Sequence, residues 1–116
     1  MPLEQFFNIV ACIAISLFGV YALFRPYEAA AMAHLKTDDS NGTAEVRISF
    51  GGLFIMMGIA PLMLNDAAAY QVVGLVFLGA FITRLITLVV DHPQIERLFI
   101  ISGLFELVVG LVLLLR

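Results

Sequence analysis

The chain has 116 residues, of which 62% are hydrophobic and 13% charged, and it carries a formal net charge of −3. A soluble domain averages about 25% charged residues, so water is the wrong solvent for this surface, and the acidic balance excludes the basic face a nucleic-acid partner requires. Its single cysteine, Cys12, excludes an intramolecular disulfide and any paired-cysteine metal or redox centre.

Four apolar runs hold most of the residues, and each is near the roughly 20 residues that cross a bilayer as a helix. The expected fold is all-α: a four-transmembrane-helix antiparallel bundle forming a single integral membrane domain over residues 1–116, with a short interfacial helix in the first loop. The first helix is expected over about residues 6–24, closed by Arg25-Pro26, with Tyr21 and Tyr27 at headgroup level. No basic region precedes this run, so it reads as a span and not as a cleaved signal. Asn8, Cys12, Ser16 and Gly19 recur at spacings of four and three, a small and weakly polar stripe suited to helix packing in lipid.

In the following connection, Glu28 to Lys36 reads as an amphipathic helix with Ala31, Met32 and Leu35 toward one side, and Thr37 to Gly42 as a solvated turn. The second helix is expected over about 46–64, with Arg47, Gly51 and Gly58 near one face. Asn65-Asp66 then gives a reversal and an N-cap. A third helix over about 67–90 has Tyr70 at its entry interface and Gly79 and Thr83 as a small-residue pair. Asp91-His92-Pro93 ends it, Pro93 opening a fourth helix over about 94–115 before Arg116 at the water. An even number of spans leaves both termini on one side, and the distribution of Lys and Arg places the loops in the cytoplasm and the termini in the periplasm.

Two ionisable residues fall inside spans, Arg84 in the third and Glu106 in the fourth. At 1.5 Å per residue Arg84 lies roughly 9 Å from the loop end of its helix, with Glu106 deeper from the loop end of the next, and an unpaired charge in lipid costs at least about 2.5 to 3.5 kcal/mol. An Arg84 to Glu106 ion pair or short polar network is therefore predicted. Thr87 and Asp91 continue the arginine's face, and Ser102 and Gly110 flank the acid at spacings of four. With Glu45 and Arg47 entering from the same membrane side, the spacing predicts a polar vestibule in one leaflet. The candidate residues are Arg47, Arg84, Glu106, Asp91, Thr87, Ser102 and Glu45.

Such a group either fixes helix register without any ligand or holds an anionic lipid head or quinone-like molecule; a proton path lacks polar steps in the terminal-side half. No catalytic motif or metal-ligand cluster is legible, no resident cofactor is implied, and the chain reads as a non-enzyme. Two functions stay open. One is an accessory or interaction subunit packing with other transmembrane helices, and the other is a binder or carrier of an anionic lipid or quinone in the Arg/Glu vestibule.

Gly19-x-Tyr21 with a following Pro, the Asn41-Gly42-Thr43-Ala44-Glu45-x-Arg47 run ending in Gly51-Gly52, the intramembrane Arg84 and the last-span Glu106 together carry a resemblance. The chain resembles the small four-span bacterial membrane family catalogued as domain of unknown function 4345, over almost its whole length, and in outline it is similar to DoxX-like membrane proteins. The resemblance implies a bacterial inner membrane and supplies no activity.

Overall fold

The computed structural model describes residues 3–115, so the expected water-side end at Arg116 lies outside the described residues. All regular structure among them is helical: α1 (Leu3–Phe24), α2 (Pro26–Met32), α3 (Ser40–Val46), a π-helical segment (Arg47–Gly52), α4 (Leu53–Leu64), α5 (Ala67–Val90) and α6 (Arg97–Leu114). Four stretches, Leu3–Phe24, Ser40–Leu64, Ala67–Val90 and Arg97–Leu114, are long and apolar enough to cross a membrane. Their exposed Leu, Ile, Val and Phe side chains are the surface a multi-pass membrane protein turns to acyl chains. The residues fall into two compact units, one of Ile9–Leu64 and one of Asn65 onward together with the chain's first turns up to Asn8.

In the Ile9–Leu64 unit, α1 runs antiparallel to the π-helical segment and α4. The small stripe forms the seam. Ser16 Oγ donates to the Ile55 carbonyl at 3.1 Å, and a Cβ added at Gly19 would stand 2.6 Å from the Ile55 amide nitrogen. Gly58 lies against Ser16 and the Cys12 carbonyl so closely that no side chain fits between them. Phe18 packs on Phe54 at 5.2 Å between ring centroids, and Phe50 meets Phe54 edge-on. With no water-driven force between helices in lipid, backbone approach at small residues is what gives such a pair its contact.

The loop helix is shorter and differently faced than its composition suggests. It starts on Pro26, whose fixed φ suits a first turn, and stops at Met32. Leu35 N–H donates to the Ala30 carbonyl at 2.8 Å and His34 N–H to the Ala31 carbonyl at 3.0 Å, with His34 in the left-handed region at φ 58°. That is a Schellman ending, which closes the helix before Leu35 and Lys36 can join it. Pro26, Ala29 and Ala30 are buried, whereas Met32 and Leu35 are exposed.

The second span also begins earlier than expected. Asp39 caps it, its Oδ1 accepting from the Gly42 amide at 2.9 Å, so Ser40 to Gly42 are helical and not a turn. A good N-cap outweighs the helix-breaking tendency of one Gly in a first turn. Past Arg47 the ladder widens: Leu53 N–H reaches back to the Ile48 carbonyl, a separation of five. The extra residue lets Gly51 seat on α1, where an added Cβ would lie 3.3 Å from the Leu23 backbone.

In the other unit, Asn65 takes φ 49° and Asp66 Oδ1 accepts from the Ala68 amide at 3.0 Å, giving α5 the expected start and end. Tyr70, expected at the headgroups, is buried at 2% exposure. It belongs with Val73, Gly74 and Phe77 to the one buried stripe of α5. α6 starts at Arg97, later than the expected 94. His92 sits at φ 47° as the residue that ends α5, and both Asp91 and His92 amides donate to the Thr87 carbonyl. Pro93 therefore follows a completed helix end, and α6 takes its own start at Glu96, which is in extended conformation.

Candidate functional site

α5 and α6 run antiparallel along a seam with three levels. At one end Gly74 and Gly110 bring the backbones together, an added Cβ at Gly74 lying 2.8 Å from the Gly110 carbonyl oxygen. In the middle Phe77 meets Phe105 edge-on at 6.0 Å. At the other end lie the two intramembrane charges.

Arg84 Nε donates to Glu106 Oε1 at 2.8 Å and Arg84 Nη2 to Glu106 Oε2 at 2.9 Å, a bidentate fork. The side chains are 24% and 15% exposed. The depths of the two backbones differ, since Arg84 lies about 9 Å from the end of α5 and Glu106 about 14 Å from the start of α6 at 1.5 Å per residue. Helical side chains lean toward their own N-terminus. On antiparallel helices the arginine therefore leans deeper and the glutamate shallower, which closes the offset.

α6 provides the rest of the seat. Phe99, Gly103 and Glu106 follow at offsets of four and seven, one face of a helix. The Arg84 Cζ lies 4.8 Å from the Phe99 ring centroid, within cation–π range. Gly103 leaves room for the arginine's stem, where an added Cβ would meet Arg84 Cδ at 3.1 Å. Thr87 Oγ1 donates to the Arg84 carbonyl at 2.6 Å, so its hydroxyl turns back on the helix and does not extend a polar path toward Asp91. Asp91 is exposed at the end of α5, and Ser102, four residues before Glu106 on α6, is half-buried.

Phe99 was not among the residues singled out from the sequence. Its signal was present, since an aromatic seven residues before a buried acid shares that acid's face. The Gly79 and Thr83 small-residue pair lies off this seam. Gly79 has nothing within 4 Å of an added Cβ, and the Thr83 hydroxyl bonds its carbonyl at 2.8 Å. Five residues separate Gly79 from Arg84, a turn of about 140°, so once Arg84 is on the seam Gly79 faces outward.

Arg47 and Glu45 belong to the other unit. Both are exposed, and Arg47 Nε donates to the Leu23 carbonyl at 3.0 Å. The origin of that bond is local. Pro26 has no N–H and Arg25 leaves the helical region at φ −130°, ψ 62°, so the last carbonyls of α1 lose their helical donors. A cation at a helix C-terminus also meets the negative end of its dipole.

The model of the family described as domain of unknown function 4345 matches residues 3–116. No curated protein and no solved structure matches the chain.

Proposed function

This chain belongs to the family described as domain of unknown function 4345, and we propose that it serves as a non-catalytic accessory protein of a bacterial inner membrane, packing against other transmembrane helices. The observation that carries this reading is the closed Arg84 to Glu106 fork. Each charge answers the other, and the guanidinium face rests on Phe99, so the pair supports register between α5 and α6 in the way buried ionic groups can. A carrier working through Arg84 would need that fork to open for each ligand.

The place for another helix is the outward face of α5. There Gly79 offers open space and Thr83 keeps its hydroxyl folded onto the backbone, a small-xxx-small strip of the kind that lets transmembrane helices approach. The test compares wild-type protein with Gly79→Leu, extracted in mild detergent from its native membrane and sized by native electrophoresis. The expected result is a species larger than one chain for wild type and its loss in a folded Gly79→Leu variant. A wild type that runs as one chain, or a variant that keeps the larger species, refutes the reading.

A further inference from the structure

The Ile9–Leu64 unit holds a cation whose donors are mostly unanswered. Arginine has five N–H donors in a planar fork, and only Nε of Arg47 has a hydrogen-bond partner among the described residues, the Leu23 carbonyl at 3.0 Å. That bond engages Nε and leaves the end-on edge, the two Nη nitrogens, without a hydrogen-bond partner among the described residues, on an exposed residue. This edge is the one that takes two oxygens of a phosphate.

The surroundings set the level in the membrane and add a second cation. Leu23 is in the last turn of α1, and the residues that follow it are Phe24, 72% exposed, and Tyr27, 62% exposed, aromatics suited to the headgroup boundary. Arg25 lies between them, two residues beyond the carbonyl that holds Arg47. Its partner Glu28 is 3.8 Å away with both side chains largely exposed, a contact that a competing phosphate can displace at little cost. The nearest acid on the arginine's own span, Glu45, is two residues back, about 200° around the helix, and points elsewhere.

We propose that Arg47, oriented by the Leu23 carbonyl and joined by Arg25, holds the phosphate of an anionic lipid headgroup at the membrane surface. The site is independent of the Arg84 to Glu106 pair and of the accessory role.

The variant that isolates the fork is Arg47→Gln. Glutamine places Nε2 the same number of bonds from the backbone as arginine Nε, so the donor to Leu23 is kept while the charge and both Nη groups go. Wild type, Arg47→Gln and Arg25→Ala are compared by native mass spectrometry in detergent with phosphatidylglycerol against phosphatidylcholine, and in a separate arm with inorganic phosphate at constant ionic strength. Wild type is expected to prefer phosphatidylglycerol. Arg47→Gln, unfolding at the wild-type midpoint, is expected to bind it at least about tenfold more weakly, the scale of a lost charged hydrogen-bond pair, and Arg25→Ala about fivefold more weakly, the scale of one interfacial cation. An Arg47→Gln protein with undiminished preference overturns the proposal. So does inorganic phosphate that displaces the lipid at low millimolar concentration, which would make the natural ligand a soluble anion. Should Arg47→Gln not fold, Arg25→Ala decides, an unchanged lipid preference being the contrary result.

Discussion

Removing the charge at residue 84 perturbs the α5–α6 seam at its ion pair. Arg84→Ala leaves the Glu106 carboxylate, 15% exposed, with both its fork donors gone. Breaking a buried pair in this way costs about 3 to 5 kcal/mol, and the lenient insertion scale alone gives about 2.5 to 3.5 kcal/mol for a charge at the centre of a helix in lipid. Glu106→Ala has a smaller effect, about 2 to 3 kcal/mol, because Arg84 keeps its place over Phe99 and its long stem can carry the head toward the interface. The exchange Arg84→Glu with Glu106→Arg restores opposite charges on antiparallel helices. It loses the fitted seat, in which Gly103 accommodates the Arg84 stem and Phe99 the guanidinium face, so it should remain about 1 to 2 kcal/mol below wild type. Unfolding by graded sodium dodecyl sulfate in mixed micelles, followed by circular dichroism, gives these free energies and, with the double variant Arg84→Ala with Glu106→Ala closing the cycle, a coupling of at least about 2 kcal/mol. Single variants within about 1 kcal/mol of wild type, or an exchange no more stable than the worse single variant, would refute the reasoning.

Other consequences follow from the same contacts. Gly58→Ala should destabilise by at least about 1 to 3 kcal/mol, because its methyl meets Ser16 and the Cys12 backbone. Gly52→Ala, with nothing within 4 Å, should be neutral or stabilising by up to about 1 kcal/mol; equal effects in the same unfolding assay would disprove the α1–α4 seam. Arg47→Gln should unfold with wild type, whereas Arg47→Leu, which leaves the Leu23 carbonyl without the 3.0 Å donor, should lose about 1 to 2 kcal/mol. Asp66→Ala removes the cap on the Ala68 amide and should cost about 1 kcal/mol, measured against Asp66→Asn, which keeps an acceptor and most of the stability.

The spans were legible because composition decides them: no soluble arrangement absorbs four apolar runs of that length. The bounds of α5 were legible for a local reason, since Asp66 announces its cap and the Asp91-His92-Pro93 sequence its end. Arg84 and Glu106 could be paired from depth alone, as two costly charges on consecutive helices have few other partners. What the sequence left hidden depends on geometry between residues that have no distinctive pattern. The widened turn at Arg47–Gly52 answers to how closely Gly51 must approach Leu23, a tertiary demand. Pro93 looked like the start of a helix, yet His92 in the left-handed region had already turned the chain away. Tyr70 looked interfacial because of its residue type, although its spacing to Val73, Gly74 and Phe77 placed it on the buried stripe. Gly79 and Thr83 have the spacing of a packing motif, and only their angle from Arg84 reveals that they face outward.

The most direct test of the ion pair is solid-state NMR of the protein in lipid bilayers, with ¹⁵N in the arginine side chains and ¹³C in the glutamate carboxyls, assigned by comparing wild type with Glu106→Gln. A strong guanidinium-to-carboxylate dipolar coupling that vanishes in Glu106→Gln is the predicted result. A spectrum in which the Arg84 nitrogens show no coupling to a carboxylate carbon, in a protein still folded, would contradict it.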